Sequence, residues 1–287
     1  MRDITVEVPG GSINVWHRPA SAGADTAVLV HGLTGTSRWW ANVIDHLPVE
    51  LGLIAIDVRG RGGSFDAPPP FDLATYAEDI VRCLDRFEVE RALVAGYSMG
   101  GWVVGVLADH HPDRVDRLVL VDGGLGLPQN PDLDPDDIIE AIVGPSLARL
   151  NVVFEDEEAF YDYWKAHPAL ERHWDDAMRP AFRYELRETD SGYSVVANPD
   201  AIKESARQIT VDPETRNVCA GVTVPSHFIA VERGTADEDG GMTPLATAEQ
   251  AAAANPNLTM EYLTGLNHYT VMLGAGAKLV AAAIVGD

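Results

Sequence analysis

The chain has 287 residues, of which 46% are hydrophobic and 23% charged, so it can bury a sizeable core and is not expected to be disordered. Its 21 basic and 44 acidic residues give a net charge of −23, and a surface of that sign repels phosphate backbones and anionic membranes. Composition and charge therefore argue against nucleic acid and membranes as partners.

The apolar runs are too short to cross a bilayer, and no charged-then-apolar leader stands before a small-residue cleavage site. We therefore expect a soluble, cytoplasmic protein. Cys83 and Cys219 lie far apart, outside any metal-ligand spacing, and are expected to be reduced and buried.

The first 125 residues alternate strand and helix patterns. "ITVEV" and "SINVWHRP" predict an opening antiparallel pair. "TAVLVHG", "LGLIAIDVRG", "RALVAGYS" and "VDRLVLVDGG" are continuous apolar runs, typical of parallel strands buried on both faces. The segments "SRWWANVIDHL", "DLATYAEDIVRCLDRF" and "GWVVGVLADHHPDRV" between them predict helices. This alternation indicates an α/β fold with a mostly parallel central sheet flanked by helices.

The pattern changes between residues 125 and 205. A Pro/Asp linker, "LPQNPDLDPDD", leads into helical patterns rich in Trp, Tyr and Phe, with no strand run between them. Strand and helix patterns then resume with "SHFIAVERG", "PLATAEQAAAANP", "LTMEYLTG" and "TVMLGAGAKLVAAAIVG". We predict one α/β core, residues 1–124 and 206–287, carrying a helical lid insertion over 125–205.

A candidate nucleophile lies between the third of these buried strands and the next helix. Gly96-Tyr97-Ser98-Met99-Gly100 has the form G-x-S-x-G, and a tight turn at that place lifts the serine hydroxyl above the sheet edge. The following helix N-terminus directs free N–H groups toward developing negative charge. Ser98 in this setting is predicted to be a nucleophile.

A serine nucleophile needs a base, and the base needs an orienting acid. Of nine histidines, His268 directly follows the last strand and precedes the last helix, where ligands gather in an α/β sheet. Two places after strands can supply the acid: Asp122 in "LVLVDGG", and the segment "AVERGTADEDGG", which offers Asp237, Glu238 and Asp239. The residues alone leave both open.

The strand ending in "VLVHGLTG" opens into a glycine-containing loop. Such a loop can direct the backbone N–H of Leu33 toward a reacting carbonyl oxygen, and the N–H of Met99 would be the second donor. These two amides are the predicted oxyanion hole.

Four signatures in this order, "HGLTG", "DVRGRGGS", "GYSMGG" and "GLNHYT", resemble the α/β-hydrolase family over residues 25–124 and 222–287. The resemblance implies Ser98 as nucleophile, His268 as base, and Leu33 and Met99 as oxyanion donors. Family members commonly carry the acid in a G-x-x-D turn, which Gly234 to Asp237 matches, so the resemblance favours Asp237. Some relatives place the acid one strand earlier, which would be Asp122.

The resemblance implies a serine hydrolase that cleaves a carboxylic ester, lactone or thioester through an acyl-enzyme, with neither metal nor organic cofactor. Serine at position 98 argues against dehalogenases and epoxide hydrolases, which use aspartate there. Carbon–carbon bond hydrolases and perhydrolases keep the serine. A pyruvate-eliminating lyase also shares "GYSMGG", but it has a basic residue where this chain has Trp102. A non-catalytic protein that binds a small ligand is the remaining alternative.

The substrate is expected to be a small molecule with an apolar or aromatic group, because aromatic residues are abundant near the serine and in the insertion. The predicted pocket residues are Trp39, Trp40, Tyr97, Trp164 and Trp174. The "DVRGRGGS" signature is expected to be a structural turn tied by Asp and Arg hydrogen bonds. The sequence does not indicate an oligomeric state.

Overall fold

The computed structural model describes residues 1–127 and 134–286 of the chain. Its strands are β1 (Arg2–Val8), β2 (Gly11–Arg18), β3 (Thr26–Val30), β4 (Gly52–Ile56), β5 (Ala92–Tyr97), β6 (Val115–Val121), β7 (Leu186–Thr189), β8 (Gly192–Val195), β9 (Ser226–Arg233) and β10 (Leu258–Asn267). Its α-helices are α1 (Ala41–Ile44), α2 (Leu73–Arg86), α3 (Met99–His110), α4 (Pro135–Leu150), α5 (Glu157–Lys165), α6 (Arg179–Tyr184), α7 (Pro199–Thr210), α8 (Leu245–Ala254) and α9 (Gly274–Val285).

Eight strands form one sheet in the order β1-β2-β4-β3-β5-β6-β9-β10. The pairs β1/β2 and β2/β4 are antiparallel, and every other neighbouring pair is parallel. Every residue of β3 and β4 is buried, as their unbroken apolar sequences require, whereas β1 alternates buried and exposed positions near its end. The predicted mostly parallel α/β sheet flanked by helices is confirmed.

Because these strands are parallel, the C-terminal ends of β3, β5, β6, β9 and β10 lie at one edge of the sheet. Apolar clusters cover both faces: α2, α3 and α8 contribute to one, and α1 and α9 to the other. Cys83 and Cys219 are buried and unbonded to each other. Loops at the shared strand edge therefore stand on a rigid base.

The chain between β6 and β9, where the structure describes it, contributes no strand to the large sheet. It contains α4 to α7, but also the antiparallel hairpin β7–β8, so the expectation of a segment without strands is wrong. The hairpin strands have four residues each and are mostly exposed or half-buried, which is why they lack a strong apolar pattern. The predicted boundary at 205 falls inside α7.

The predicted Pro/Asp linker, 127–137, lies mostly outside the described residues. Within 1–127 and 134–286, no helix is both long enough and apolar enough to cross a bilayer.

Candidate active site

Ser98 occupies the turn between β5 and α3, with φ of 55° and ψ of −127°. A non-glycine residue in this region of backbone space is strained, and such strain is typical of a nucleophile turn. Its neighbouring glycines permit the turn: a Cβ on Gly96 would lie 2.2 Å from the Gly100 carbonyl oxygen, and a Cβ on Gly100 would lie 2.2 Å from the carbonyl oxygen of Val30. The strand and the helix approach closely only because both positions are glycine.

His268 follows β10 and is 5% exposed, and Asp122 follows β6 and is fully buried. The Nδ1 atom of His268 lies 2.6 Å from Oδ2 of Asp122, a charge-assisted hydrogen bond that orients the ring. Backbone hydrogen bonds hold both residues: Asp122 donates to Ile229 O at 2.9 Å, and His268 donates to Arg233 O at 3.1 Å.

Asp237, favoured from the sequence as the partner of His268, lies elsewhere. Its carboxylate accepts hydrogen bonds of 3.0 Å from Asn267 Nδ2 and from Arg233 Nε. The hydrogen bond from Asn267, and next the Arg233 guanidinium, lower the pKa of Asp237. The choice of Asp237 is therefore wrong as the histidine's partner, and the alternative, Asp122, occupies that position. Asp237 thus pairs with Arg233 and Asn267 and not with the imidazole.

Ser98 and His268 line the same cavity, whose volume is about 600 Å³. The serine Oγ lies 4.0 Å from Met242 Sδ and makes no hydrogen bond to His268 in the described structure. Hydrogen bonds between a nucleophile and its base often become short only when substrate is bound. The arrangement brings Ser98 and His268 to one cavity and pairs the histidine with a buried carboxylate.

The loop after β3 lies beside Ser98. Arg61 Nε donates to the carbonyl of Leu33 at 3.0 Å. His31 Nδ1 donates to Gly32 O at 2.7 Å, while its Nε2 accepts from the Val58 N–H at 3.2 Å. Burial lowers the pKa of His31 to about 4, so the ring is neutral at physiological pH. These bonds fix the backbone that carries the Leu33 amide.

Met99 is the first residue of α3, so its N–H has no partner within the helix. The amide of Leu33 makes no hydrogen bond to a described residue. Among the described residues, neither predicted oxyanion donor has a hydrogen-bond partner for its N–H group. Gly32 and Leu33 both line the cavity.

The "DVRGRGGS" segment connects this loop to the core. Asp57 accepts from the backbone N–H groups of Ser37 at 2.7 Å and Gly63 at 2.9 Å. Arg59 forms a buried two-bond ion pair with Asp79 at 2.6 and 2.9 Å. The contacts are those of a structural turn.

Aromatic side chains form much of the cavity wall. Three of the five predicted pocket residues line it: Trp39, Tyr97 and Trp164. Trp40 does not line the cavity, because it is fully buried in the apolar cluster to which α1 and α9 contribute. Trp174 also lies outside the lining; it packs against other aromatic rings of the insertion and donates to Asp176 at 3.2 Å. Those two pocket predictions are wrong.

Two buried charged residues stand near this aromatic wall. Arg149, at the end of α4, lines the cavity and is 4% exposed. Glu185 is 1% exposed, and its Oε1 accepts from Trp39 Nε1 at 2.5 Å. Burial raises the pKa of Glu185 to about 7, against the opposing effect of Arg149.

Sequence reasoning missed several positioning groups. The Tyr97 hydroxyl donates to the carbonyl of His268 at 2.9 Å, and its ring stacks on the imidazole with centroids 5.0 Å apart. Asn267 receives and donates bonds around the same loop. The adjacency of Tyr97 to Ser98, and of Asn267 to His268, was the available signal. Among the described residues, no cluster of three or more His, Cys, Asp or Glu side chains could hold a metal ion.

The protein-family model of the α/β hydrolase fold matches residues 27–210 of this chain. A putative carbamate hydrolase, RutD, of Caulobacter sp. strain K31 is 26% identical over 251 residues, which cover 85% of this chain and 84% of that protein. RutD of Caulobacter vibrioides strain NA1000 is 34% identical over 124 residues, but that match spans only 46% of its length and 43% of this chain. The solved structure of E-2-(acetamidomethylene)succinate hydrolase superposes with a TM-score of 0.78 at 21% identity, covering 99% of this chain and 98% of that one.

Proposed function

Because the chain belongs to the α/β-hydrolase fold family, we propose that it is a serine hydrolase acting on a carboxylic ester, lactone or thioester. The observation that carries this proposal is the buried 2.6 Å pair of His268 and Asp122, in which His268 lines the same cavity as Ser98 on its strained turn. A nucleophile, a base and an orienting acid are the groups that acyl transfer requires.

In the proposed reaction, His268 Nε2 takes the proton of Ser98 as the serine oxygen bonds to the carbonyl carbon. The tetrahedral intermediate collapses with cleavage of the ester C–O bond, and the histidine gives its proton to the departing alcohol. Water then loses a proton to His268 and attacks the acyl-serine, which releases the acid and restores the serine hydroxyl. Asp122 holds the imidazole in the tautomer with Nδ1 protonated and stabilises the imidazolium.

The N–H groups of Leu33 and Met99 bind the oxyanion in this mechanism. One such donor contributes about 3 kcal/mol to transition-state stabilisation. Arg61 and His31 support the proposal because their hydrogen bonds, of 3.0 and 2.7 Å, hold the backbone of the Leu33 loop in place.

The scissile group is proposed to sit beside Trp39, Tyr97 and Trp164, which favours a substrate with an apolar or aromatic portion. The same machinery can attack a carbamate carbonyl, and the relatives named as putative carbamate hydrolases support including that bond type in an assay. Carbon–carbon bond hydrolysis and perhydrolysis would use the same serine.

Labelling with a fluorophosphonate probe tests the nucleophile directly. Wild type should label at Ser98 and Ser98→Ala should not. A panel of 4-nitrophenyl esters, lactones, acyl thioesters and aryl carbamates then assigns the bond type, with hydrolysis expected to be abolished in Ser98→Ala. A protein that neither labels nor turns over any of the panel would instead be the non-catalytic binding protein.

A further inference from the structure

Arg149 is a buried cation in the cavity wall with few bonding partners. Its side chain donates from Nη2 to Thr34 Oγ1 at 3.0 Å, which is its one hydrogen bond to the described residues. The Nε atom is buried and makes no hydrogen bond. No carboxylate of the described residues lies within 4 Å of this guanidinium.

The other two buried arginines, Arg59 and Arg61, have at least one hydrogen-bond partner at each of their three guanidinium nitrogens. Arg59 pairs with Asp79 through two hydrogen bonds and also donates to two backbone carbonyls. Arg61 donates to backbone carbonyls and to the hydroxyls of Tyr76 and Ser205. A buried guanidinium that lacks such partners costs free energy, so Arg149 differs from these structural arginines.

The neighbours of Arg149 described below also belong to the cavity wall. Its guanidinium lies 4.6 Å from the ring centroid of Trp164, a cavity-lining residue, and Thr34 directly follows the oxyanion-loop residue Leu33. Burial and then the positive charge of Arg149 lower the pKa of His167, another lining residue. Among the described lining residues, Arg149 is the only lysine or arginine.

We propose that Arg149 is the binding site for a carboxylate carried by the substrate, at the end of the cavity where Thr34 follows the oxyanion loop. The proposal rests on the proposed hydrolase function. A guanidinium fork matches a planar carboxylate, and the substrate is an ester whose acyl or alcohol part bears one negative charge. A substrate with one negative charge is favoured over one with several, because the chain carries a net charge of −23 and one cation lines the described cavity.

A pair of esters that differ only in charge tests this specificity. The 4-nitrophenyl monoester of adipic acid presents a free carboxylate, and methyl 4-nitrophenyl adipate has the same chain with that carboxylate capped. Wild type is expected to have a kcat/KM about 10- to 100-fold higher for the charged ester, as a hydrogen-bonded charge pair would give. Equal kcat/KM values for the two esters in wild type would overturn the proposal.

Substitution then assigns the preference to one residue. Arg149→Gln should lower kcat/KM for the charged ester about 10- to 100-fold more than for the methyl ester, mainly through KM, and Arg149→Lys should restore part of the preference. Arg172→Gln, at an exposed arginine outside the cavity, is the matched control and should keep the wild-type ratio. A uniform loss on both esters in Arg149→Gln would indicate a purely structural residue and would reject the subsite.

A binding measurement separates this inference from the hydrolase proposal. Calorimetric titration of the wild type should give a Kd at least about tenfold lower for 4-phenylbutyrate than for 4-phenylbutanamide, with the difference lost in Arg149→Gln. Binding of the carboxylate without any ester turnover would reject the hydrolase proposal and keep the anion site. Ester turnover together with equal or undetectable binding of the two ligands would reject the anion site and keep the hydrolase proposal.

Discussion

Asp237 Oδ1 accepts a 3.0 Å hydrogen bond from Nδ2 of Asn267, the residue immediately before His268. Asn267 in turn accepts, through its Oδ1, from the backbone N–H groups of Tyr269 at 3.0 Å and Thr270 at 2.9 Å. Asp237 therefore contacts the loop that carries the histidine, while Asp122 contacts the imidazole itself. The two carboxylates are expected to differ sharply when neutralised.

Asp122→Asn should lower kcat by about 10³- to 10⁴-fold, because the amide favours the wrong imidazole tautomer and cannot stabilise the imidazolium. Asp237→Asn should lower kcat by less than about tenfold, since the amide oxygen can still accept from Asn267. Steady-state hydrolysis of a 4-nitrophenyl ester measures both. A severe defect in Asp237→Asn alone would reinstate that residue as the acid.

Glu185 gives stability a pH dependence. Its pKa is raised by burial to about 7, so the folded chain favours the protonated form, and the stability it contributes is full below about pH 4.5 and is lost as the pH rises through 7. Glu185→Gln should therefore gain about 2 kcal/mol in unfolding free energy, relative to wild type, between pH 5 and pH 8.

Urea denaturation at the two pH values measures this difference. Glu188→Gln, at an exposed position of β7, is the matched control and should show no such gain. If both variants change equally between pH 5 and pH 8, Glu185 is not the source of the dependence.

Gly100→Ala should destabilise the fold by about 3 kcal/mol, because its Cβ would stand 2.2 Å from the Val30 carbonyl oxygen and the backbone cannot yield cheaply. Gly221→Ala places a Cβ in open space and serves as the control. Thermal unfolding followed by circular dichroism should show a lower Tm for the first variant only. Equal Tm values would mean that β3 and α3 separate without cost.

Tyr97→Phe should lower kcat about fivefold, because it removes the hydrogen bond to the His268 carbonyl and retains the stacked ring. Tyr262→Phe, on β10 and away from the cavity lining, is the control. The initial rates of ester hydrolysis and the rate of fluorophosphonate labelling should fall together. A change in KM alone would indicate that Tyr97 acts only as a pocket wall.

That Ser98 and His268 lie at one cavity could be predicted, because each stands in a short local pattern at the end of a strand. The choice between Asp122 and Asp237 could not, because both follow strands at the same edge of the sheet. The strands concerned, β6 and β9, are neighbours, and a linear pattern does not reveal which of the two carboxylates contacts the imidazole. Asp237 forms an ion pair with Arg233, four residues before it, and this contact depends on the folded loop.

The insertion was harder to predict than the core. Helix periodicity predicted α4 and α5, but β7 and β8 have four residues each and little buried surface to impose alternation. The pocket predictions had the same weakness: an aromatic side chain is equally suited to a cavity wall and to a packed interior. Trp40 and Trp174 belong to the second class.

The Ser98 backbone N–H donates to Val121 O at 2.9 Å, so the nucleophile is bonded to the residue next to Asp122 before the chain enters the insertion. The insertion begins after these groups are fixed and ends before β9. The part of the cavity wall that the insertion supplies could therefore be exchanged by recombination. Such an exchange would alter selectivity while Ser98 and Asp122 keep their spacing. One of the contacts that such an exchange would have to reproduce is the 2.9 Å hydrogen bond from Asn267 Nδ2 to Ala169 O, which links the insertion to the histidine's loop.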